Sequence, residues 1–226
     1  MHINNLLDIF IVIDELYQYL RYKGFSFDEN GLPIYRKEMF LTEWPELIIP
    51  YSQRKNKMVS DRSRTVLCFF DGDQRLYPRL GKLLDEIDEY RSFMGVIGLD
   101  VTITDDMDEE WQQAMFLLNH LFLSVLAIND IKIIINTRTG GIDPYNAFVN
   151  VPKGIMVASG FLGCDKLEEE YDYSYLAKVL NLMPEKLIIY GKHDSLVEKQ
   201  LNVMGINYRV YVDFHRLCKE VPYVRQ

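Results

Sequence analysis

The chain has 226 residues, of which 48% are hydrophobic and 26% are charged. This composition is typical of one large folded domain and argues against a largely disordered chain. The formal net charge of −8 repels phosphate, so nucleic-acid binding is not favoured unless a local basic patch provides it. The three cysteines are far apart and form no CxxC pair, which argues against a disulfide framework or a zinc site.

The first 64 residues predict an N-terminal helix and an irregular arm. Apolar side chains recur at helical spacing over residues 3–21, and Gly24 ends that pattern. The segment lacks the basic start and cleavage site of a signal peptide, and no apolar run reaches the roughly 18 residues of a membrane helix. We therefore expect a cytoplasmic protein that is not bound to a membrane. In the arm, the prolines of residues 44–50 argue against both a helix interior and a central strand.

From residue 65 onward, short apolar runs alternate with helical patterns, which predicts a mostly parallel sheet in an α/β fold. We expect a single domain over residues 1–226, with a core of βα repeats over residues 65–213. Six strands can form either a barrel-like or an open, doubly wound sheet, and polar residues after nearly every strand slightly favour the barrel. The predicted strands are 65–70, 96–99, 131–135, 155–158, 187–190 and 208–212, and the helices between them are 76–91, 108–128, 143–149, 173–182 and 195–204.

Carboxylates follow the first two of these strands. Asp71 and Asp73 come after the first, and Asp100 comes after the second. In parallel α/β folds the carboxyl ends of the strands face one side, where ligands bind. Because Mg²⁺ and Mn²⁺ prefer oxygen ligands, the three residues predict a divalent-ion site that would activate water or hold phosphate. The alternative is that Asp71 and Asp73 cap the next helix.

Other polar residues at strand ends add acid–base and phosphate-binding chemistry. His193 follows the fifth predicted strand and is a candidate general acid or base, with a solvated loop position as the alternative. Arg138, after the third strand, and Lys192, after the fifth, are expected to hold phosphate. Together with Asp100, these three residues form the predicted catalytic set.

Two further segments are candidate anion sites. Ser159 and Gly160 end the fourth predicted strand, and backbone N–H groups of a glycine-bearing loop can bind the anionic part of a cofactor. The segment has neither the GxGxxG pattern nor a Walker lysine. A basic cluster in the arm could bind the phosphates of a nucleic acid or nucleotide, although it could also be a solvated loop. Its members are Arg54, Lys55, Lys57, Arg62 and Arg64.

Several short motifs lie at the predicted strand ends and in the loops between the elements. They are Phe69-Phe70-Asp71, Gly98-Leu99-Asp100-Val101-Thr102, Asp106-Met107, Pro152-Lys153-Gly154, the stretch 157–164, and Ile188-Ile189-Tyr190-Gly191. With these motifs the chain resembles a family of uncharacterised proteins of bacterial phages and mobile elements, which contain a domain of unknown function. The resemblance covers roughly residues 45–215, and it implies a bacterial host cell but no particular activity. Where that family usually has a tryptophan, near the end of the third strand, this chain has Asn136-Thr137-Arg138.

Three functions remain open from the sequence. The first is a phage or mobile-element protein that binds a host or replication partner through the helix and arm of residues 1–64. The second is a metal-dependent enzyme acting on a phosphate-containing substrate, a nucleotide or a nucleic acid, at the strand ends. The third is a DNA-binding accessory factor that uses the basic cluster. The substrate, the partner and the oligomeric state are left open.

Overall fold

The computed structural model describes residues 6–104, 106–139, 142–160 and 174–220. Its centre is an all-parallel sheet of seven strands, in which each strand pairs with the next one along the chain. This sequential order curls the sheet into a nearly closed barrel. The strands are β1 (Leu47–Pro50), β2 (Thr65–Phe69), β3 (Gly95–Leu99), β4 (Ile133–Asn136), β5 (Met156–Gly160), β6 (Lys186–Gly191) and β7 (Tyr208–Val212).

The helices confirm most of the predicted pattern, but the described residues contain two helices more than predicted. The predicted helix 76–91 is two helices, and α8 follows the last strand, where no helix is predicted. The helices are α1 (Leu6–Tyr22), α2 (Asp73–Leu80), α3 (Ile87–Arg91), α4 (Glu109–Ile128), α5 (Pro144–Ala147), α6 (Ser174–Leu182), α7 (Ser195–Val203) and α8 (Phe214–Glu220).

The prediction of six strands is wrong by one, because the arm contributes β1. This strand pairs with β2 on one side only, with Pro50 opposite Cys68 at its end. A proline lacks the N–H group of a sheet ladder, but an edge strand has one side on which that group is not required. The prolines therefore exclude a central strand, as predicted, but they do not exclude an edge strand.

The strands bury side chains on both faces. Those facing outward, such as Leu67 and Phe69, pack beneath the helices, whereas those facing inward fill the barrel. Inside the barrel the rings of Phe70 and Tyr190 stack, with centroids 5.1 Å apart. Gly160 leaves room for this packing, because a Cβ atom there would lie 2.5 Å from two carbons of the Phe70 ring. The barrel is therefore a packed core, with room for ligands only near its ends.

Helix α4 is the central outer helix and packs between the sheet and α1. Asp108 caps it by accepting hydrogen bonds from the backbone N–H groups of Glu110 and Trp111. By length and composition α4 could cross a membrane, although polar residues interrupt its apolar run. However, 78% of its most apolar window is buried in the fold, as in the core helix of a globular protein.

A closed polar cluster connects the arm to α4, and we call Tyr35, His120 and Ser124 the α4 cluster. The hydroxyls of Tyr35 and Ser124 each donate to the carbonyl oxygen of His120 at 2.8 Å. The Tyr35 hydroxyl also lies 3.2 Å from His120 Nδ1. All three residues are buried, and burial lowers the pKa of His120 to about 4. The histidine is therefore neutral at pH 7.

The barrel has a seam where β7 meets β1, because these two strands are neighbours that do not pair. Side chains hold the seam together. The hydroxyl of Tyr211 on β7 donates to the carbonyl oxygen of Pro45 at 2.8 Å. The guanidinium of Arg209 lies over the ring of Trp44, 4.6 Å from its centroid.

Candidate functional site

The carboxyl ends of β3 and β4 hold an ion pair between two predicted site residues. Asp100, directly after β3, accepts at Oδ1 from Arg138 Nη1 at 3.0 Å and from Asn136 Nδ2 at 3.2 Å. Asn136 Nδ2 also donates to the carbonyl oxygen of Leu99 at 3.0 Å. Asn136 and Arg138, at the end of β4, therefore fix the position of the Asp100 carboxylate at the end of β3. Contact between neighbouring strand ends is what a parallel sheet predicts.

The next strand continues this group of polar side chains. Thr137 Oγ1 and Ser159 Oγ are 3.0 Å apart and form a hydrogen bond, which links the end of β4 to β5. Burial raises the pKa of the Tyr175 hydroxyl on α6, and the nearby Ser159 hydroxyl partly lowers it. We call Asp100, Asn136, Thr137, Arg138 and Ser159 the strand-end cluster.

Gly160 lies beside the strand-end cluster, but its role in the structure is in packing, because its lack of a side chain makes room for the Phe70 ring. The remainder of the glycine-bearing loop, residues 161–164, lies outside the described residues. The prediction that Ser159 and Gly160 bind a cofactor stays a prediction.

Asp71 and Asp73 lie near the same end, but each has its own partners. Asp71 accepts from the Gly72 N–H at 3.0 Å and from Arg75 Nη1 at 3.2 Å. Asp73 Oδ1 accepts from the Thr102 N–H at 3.1 Å, which ties the start of α2 to the segment after β3. Neither carboxylate caps α2, whose first residue outside the helix is Gly72.

The predicted divalent-ion site is not formed by this arrangement. Within residues 6–104, 106–139, 142–160 and 174–220, no three His, Cys, Asp or Glu side chains lie close enough together to hold a metal ion. The carboxylates of Asp71, Asp73 and Asp100 face separate hydrogen-bond donors instead. Burial raises the pKa of the Cys68 thiol to about 12, and the charges of Asp100 and Asp71 add to that effect.

Among the described residues, neither His193 nor Lys192 contacts the strand-end cluster. His193 Nδ1 lies 2.9 Å from Glu198 Oε1, and its side chain is 70% exposed. The neighbouring Asp194 caps α7 through the N–H groups of Leu196 and Val197. His193 therefore has a carboxylate partner, as the acid–base prediction requires, but it lies in a solvated position.

The basic cluster of the arm is partly neutralised by ion pairs with two carboxylates, Glu89 and Glu46. Glu89 lies between Arg54 and Arg62, with a nitrogen–oxygen distance of 3.4 Å to each. Arg64 pairs with Glu46. These contacts use three of the five predicted cations, so less charge is available for nucleic-acid phosphates. Lys55 and Lys57 are the two members for which the described part of the chain shows no ion pair.

A cleft of about 320 Å³ opens at the carboxyl end of β2, between the turn after β1 and α2. We call it the α2 cleft. Three cations line it (Arg75, Arg79 and Lys82) against one carboxylate, Asp71. These three cations are not among the residues predicted from the sequence, although the spacing 75, 79, 82 after a strand end indicates cations on one helix face. Its other walls include Tyr51, Ser52, Cys68, Leu76 and Pro78.

Comparison with known proteins yields a family but no activity. A family model described as a domain of unknown function (DUF4417) matches residues 29–209. No curated protein and no solved structure matches the chain. The matched residues include β1 to β6, the strand-end cluster and the whole α2 cleft.

Proposed function

We propose that this protein, which belongs to the DUF4417 family, is an enzyme acting on a small phosphate-containing substrate at the carboxyl end of its barrel. The family has no known function, so the proposal depends on this chain's own residues. One observation carries it: polar side chains from three consecutive strands meet in the strand-end cluster, at the end where parallel barrels bind ligands.

Asp100 is the group that we assign to the reacting part of the substrate. Its side chain is 13% exposed, so it is shielded from bulk water but still accessible. Among the described residues, hydrogen bonds reach its Oδ1 atom, which leaves Oδ2 for a substrate. Two donors hold the carboxylate in place before any ligand arrives, and such preorganisation is characteristic of catalytic carboxylates.

Arg138 is assigned to the negative charge of the substrate. Its side chain is 31% exposed, more than that of its partner Asp100, so the guanidinium can face an incoming anion. A planar guanidinium binds phosphate oxygens in a fixed geometry. The proposal requires no metal ion bound by Asp71 and Asp73, since both carboxylates have other partners.

The experiment is thermal unfolding with matched pairs of compounds: AMP with adenosine, and ribose 5-phosphate with ribose. A compound present at about 100 times its Kd raises the Tm of a domain of this size by roughly 5–10 °C. We expect a phosphorylated compound to give such a rise, and Asp100→Asn to reduce it. Asp88→Asn, at a surface position whose side chain is 94% exposed, is the control and keeps the rise. Equal rises for adenosine and AMP, or a full rise in Asp100→Asn, would contradict the proposal.

A second candidate function, binding of a partner protein, is favoured by the outer face of α1. Leu7, Phe10 and Ile11 are 72%, 49% and 50% exposed there, whereas the opposite face of α1 packs on α4. Exposed apolar groups that lie together mark interaction surfaces more often than scattered ones do. The occupant in this candidate function is a host or phage protein.

The test compares cross-linked complexes formed in a bacterial lysate by the wild type, by Leu7→Glu/Ile11→Glu, and by Leu84→Glu. Leu84 is 41% exposed and lies outside α1, so it controls for the added charge. A protein lost with the α1 variant and retained with Leu84→Glu supports the function. Identical complexes for all three chains would count against it.

The remaining expectations stay predictions. They are the origin in a phage or mobile element, the location in the cytoplasm of a bacterial cell, and the DNA-binding alternative. The last of these is weakened by the ion pairs of Arg54, Arg62 and Arg64.

A further inference from the structure

We infer that the α2 cleft binds the phosphate group of the substrate, and that the strand-end cluster receives the reacting part of the molecule, with Arg138 facing any further negative charge on that part. This inference rests on the proposed function for the substrate class, but it assigns a separate site on different residues. The cleft is at the same end of the barrel, because its inner wall is formed by Cys68 and Asp71 at the end of β2.

The two sites adjoin each other through the end of β2. Strand β2 pairs with β3, with Phe69 opposite Leu99, so Asp71 and Asp100 lie just beyond two neighbouring strand ends. The charges of both carboxylates also add to the effect of burial on the pKa of the Cys68 thiol. A ligand in the cleft would therefore extend toward Asp100.

The charge of the cleft fits an anion. Arg75, Arg79 and Lys82 supply three positive charges, and Asp71 supplies one negative charge. The cations lie at positions i, i+4 and i+7, which places them on one face of α2 and of the turn that follows it. Phosphate is the anion that such sets of Arg and Lys side chains bind best, since it accepts several charge-assisted hydrogen bonds at once.

These cations are only weakly engaged with the protein's own carboxylates. Arg79 Nη1 lies 3.7 Å from Glu86 Oε1, beyond hydrogen-bond distance, and Glu86 already accepts from the Tyr51 hydroxyl at 2.6 Å. The Arg75 side chain pairs with Asp71 but is 68% exposed, and exposed pairs contribute little. Lys82 makes no ion pair with any described residue. The donors can therefore turn to a ligand at small cost.

The size and walls of the cleft fit a small molecule. Its volume of about 320 Å³ falls at the lower end of small-molecule sites. Apolar walls from Leu76 and Pro78 exclude water on one side, which strengthens the attraction between the cations and an anion. Ser52 adds a hydroxyl that already reaches Asp71, with its Oγ 3.3 Å from Oδ2.

The experiment is titration calorimetry with inorganic pyrophosphate, with sodium sulfate as the competing dianion. We expect pyrophosphate to bind the wild type and the double variant Arg79→Gln/Lys82→Gln to bind it at least about tenfold more weakly. The control is Lys55→Gln/Lys57→Gln, which removes the same charge from exposed lysines outside the cleft and stays within about twofold of the wild type.

Arg79 also lies 5.5 Å from the centroid of the Tyr51 ring, so its replacement can disturb packing. Lys82→Gln alone avoids that problem, because Lys82 is exposed, and we expect a loss of about threefold or more from it. Absence of pyrophosphate binding in the wild type, or unchanged binding in both Arg79→Gln/Lys82→Gln and Lys82→Gln, would overturn the inference.

Asp100→Asn separates this inference from the proposed function. The variant should bind pyrophosphate as the wild type does, because Asp100 does not line the cleft. If AMP or ribose 5-phosphate stabilises the protein and depends on Asp100 but not on Arg79 and Lys82, the cleft assignment fails and the proposed function stands. If pyrophosphate binding depends on Arg79 and Lys82 but no compound responds to Asp100→Asn, the proposed function fails and the cleft assignment stands.

Discussion

The α4 cluster and the strand-end cluster are built from similar parts, polar side chains on neighbouring elements joined by hydrogen bonds. They differ in contact with solvent at two residues. Tyr35, His120 and Ser124 are 5%, 4% and 0% exposed and Asn136, Thr137 and Ser159 are also buried, whereas the side chains of Asp100 and Arg138 are 13% and 31% exposed. A closed network fixes the position of chain segments, and an open one keeps atoms available for a ligand. The comparison indicates that exposure, more than residue type, separates a structural cluster from a functional one.

The largest effect that tests this comparison is a pH dependence from His120. Its pKa in the folded protein, about 4, is below its ordinary value of 6.5, because burial disfavours the charged form. As the pH falls through 6.5 the unfolded chain binds a proton that the folded chain does not, so the free energy of unfolding decreases. Between pH 7 and pH 4.5 this contribution is about 2–3 kcal/mol.

The measurement is urea unfolding of the wild type and of His120→Gln at both pH values. The contribution of His120 is the free energy of unfolding that the wild type loses on acidification minus the loss found for His120→Gln. Carboxylates that titrate in the same range are common to both chains and cancel. The exposed His193, replaced in the same way, is the control. If His120→Gln loses as much stability as the wild type on acidification, then His120 is not held neutral by a closed cluster.

A smaller effect is expected from Tyr35→Phe, which removes one hydroxyl from the α4 cluster. The His120 carbonyl keeps its hydrogen bond from Ser124, so the loss is that of one buried hydrogen bond, about 1–2 kcal/mol. Ligand binding should not change. Chemical denaturation with Tyr22→Phe as the reference checks the effect, because Tyr22 is 87% exposed and should lose nothing. Weaker ligand binding in Tyr35→Phe would show that the two clusters are coupled.

The smallest expected effect on stability is that of Asp100→Asn. The ion pair with Arg138 is partly exposed and Asn retains an acceptor oxygen, so we expect a loss of less than about 1 kcal/mol in the same denaturation assay. The change should nevertheless reduce the ligand response described above. A loss of stability equal to that of Tyr35→Phe, with ligand binding intact, would make the strand-end cluster another structural network.

Much of the fold follows from local patterns, since the continuous apolar runs predict β2 to β7 with small shifts at their ends. The break between α2 and α3 is not predictable in this way. The turn after Leu80 uses i to i+3 hydrogen bonds, such as that from the Leu83 N–H to the Leu80 carbonyl. Leu83 and Ile87 are buried there as they would be in one continuous helix, so the apolar spacing is the same in both cases.

The choice between a barrel and an open sheet also lies beyond local patterns, because a strand buried on both faces has the same sequence signature in either architecture. It depends on which strands pair, and here each pairs with its successor. Within the site, the sequence predicts that Asp100 and Arg138 lie at one edge, and they are in contact. It does not predict that Asp71 accepts a hydrogen bond from Arg75, or that Asp73 accepts one from the Thr102 N–H, because these partners depend on side-chain geometry.

The seam between β7 and β1 has a consequence for how the barrel assembles. Every strand pair joins segments that are close along the chain, so the whole curved sheet can grow by successive local additions. Closure depends on contacts such as that between Tyr211 and Pro45, which are 166 residues apart and include no strand ladder. Joining such distant segments costs loop entropy, and only a few side-chain contacts offset that cost. The seam is therefore the last part of the barrel to form and the first to open, and backbone amides of β7 should exchange with solvent before those of β3 and β4.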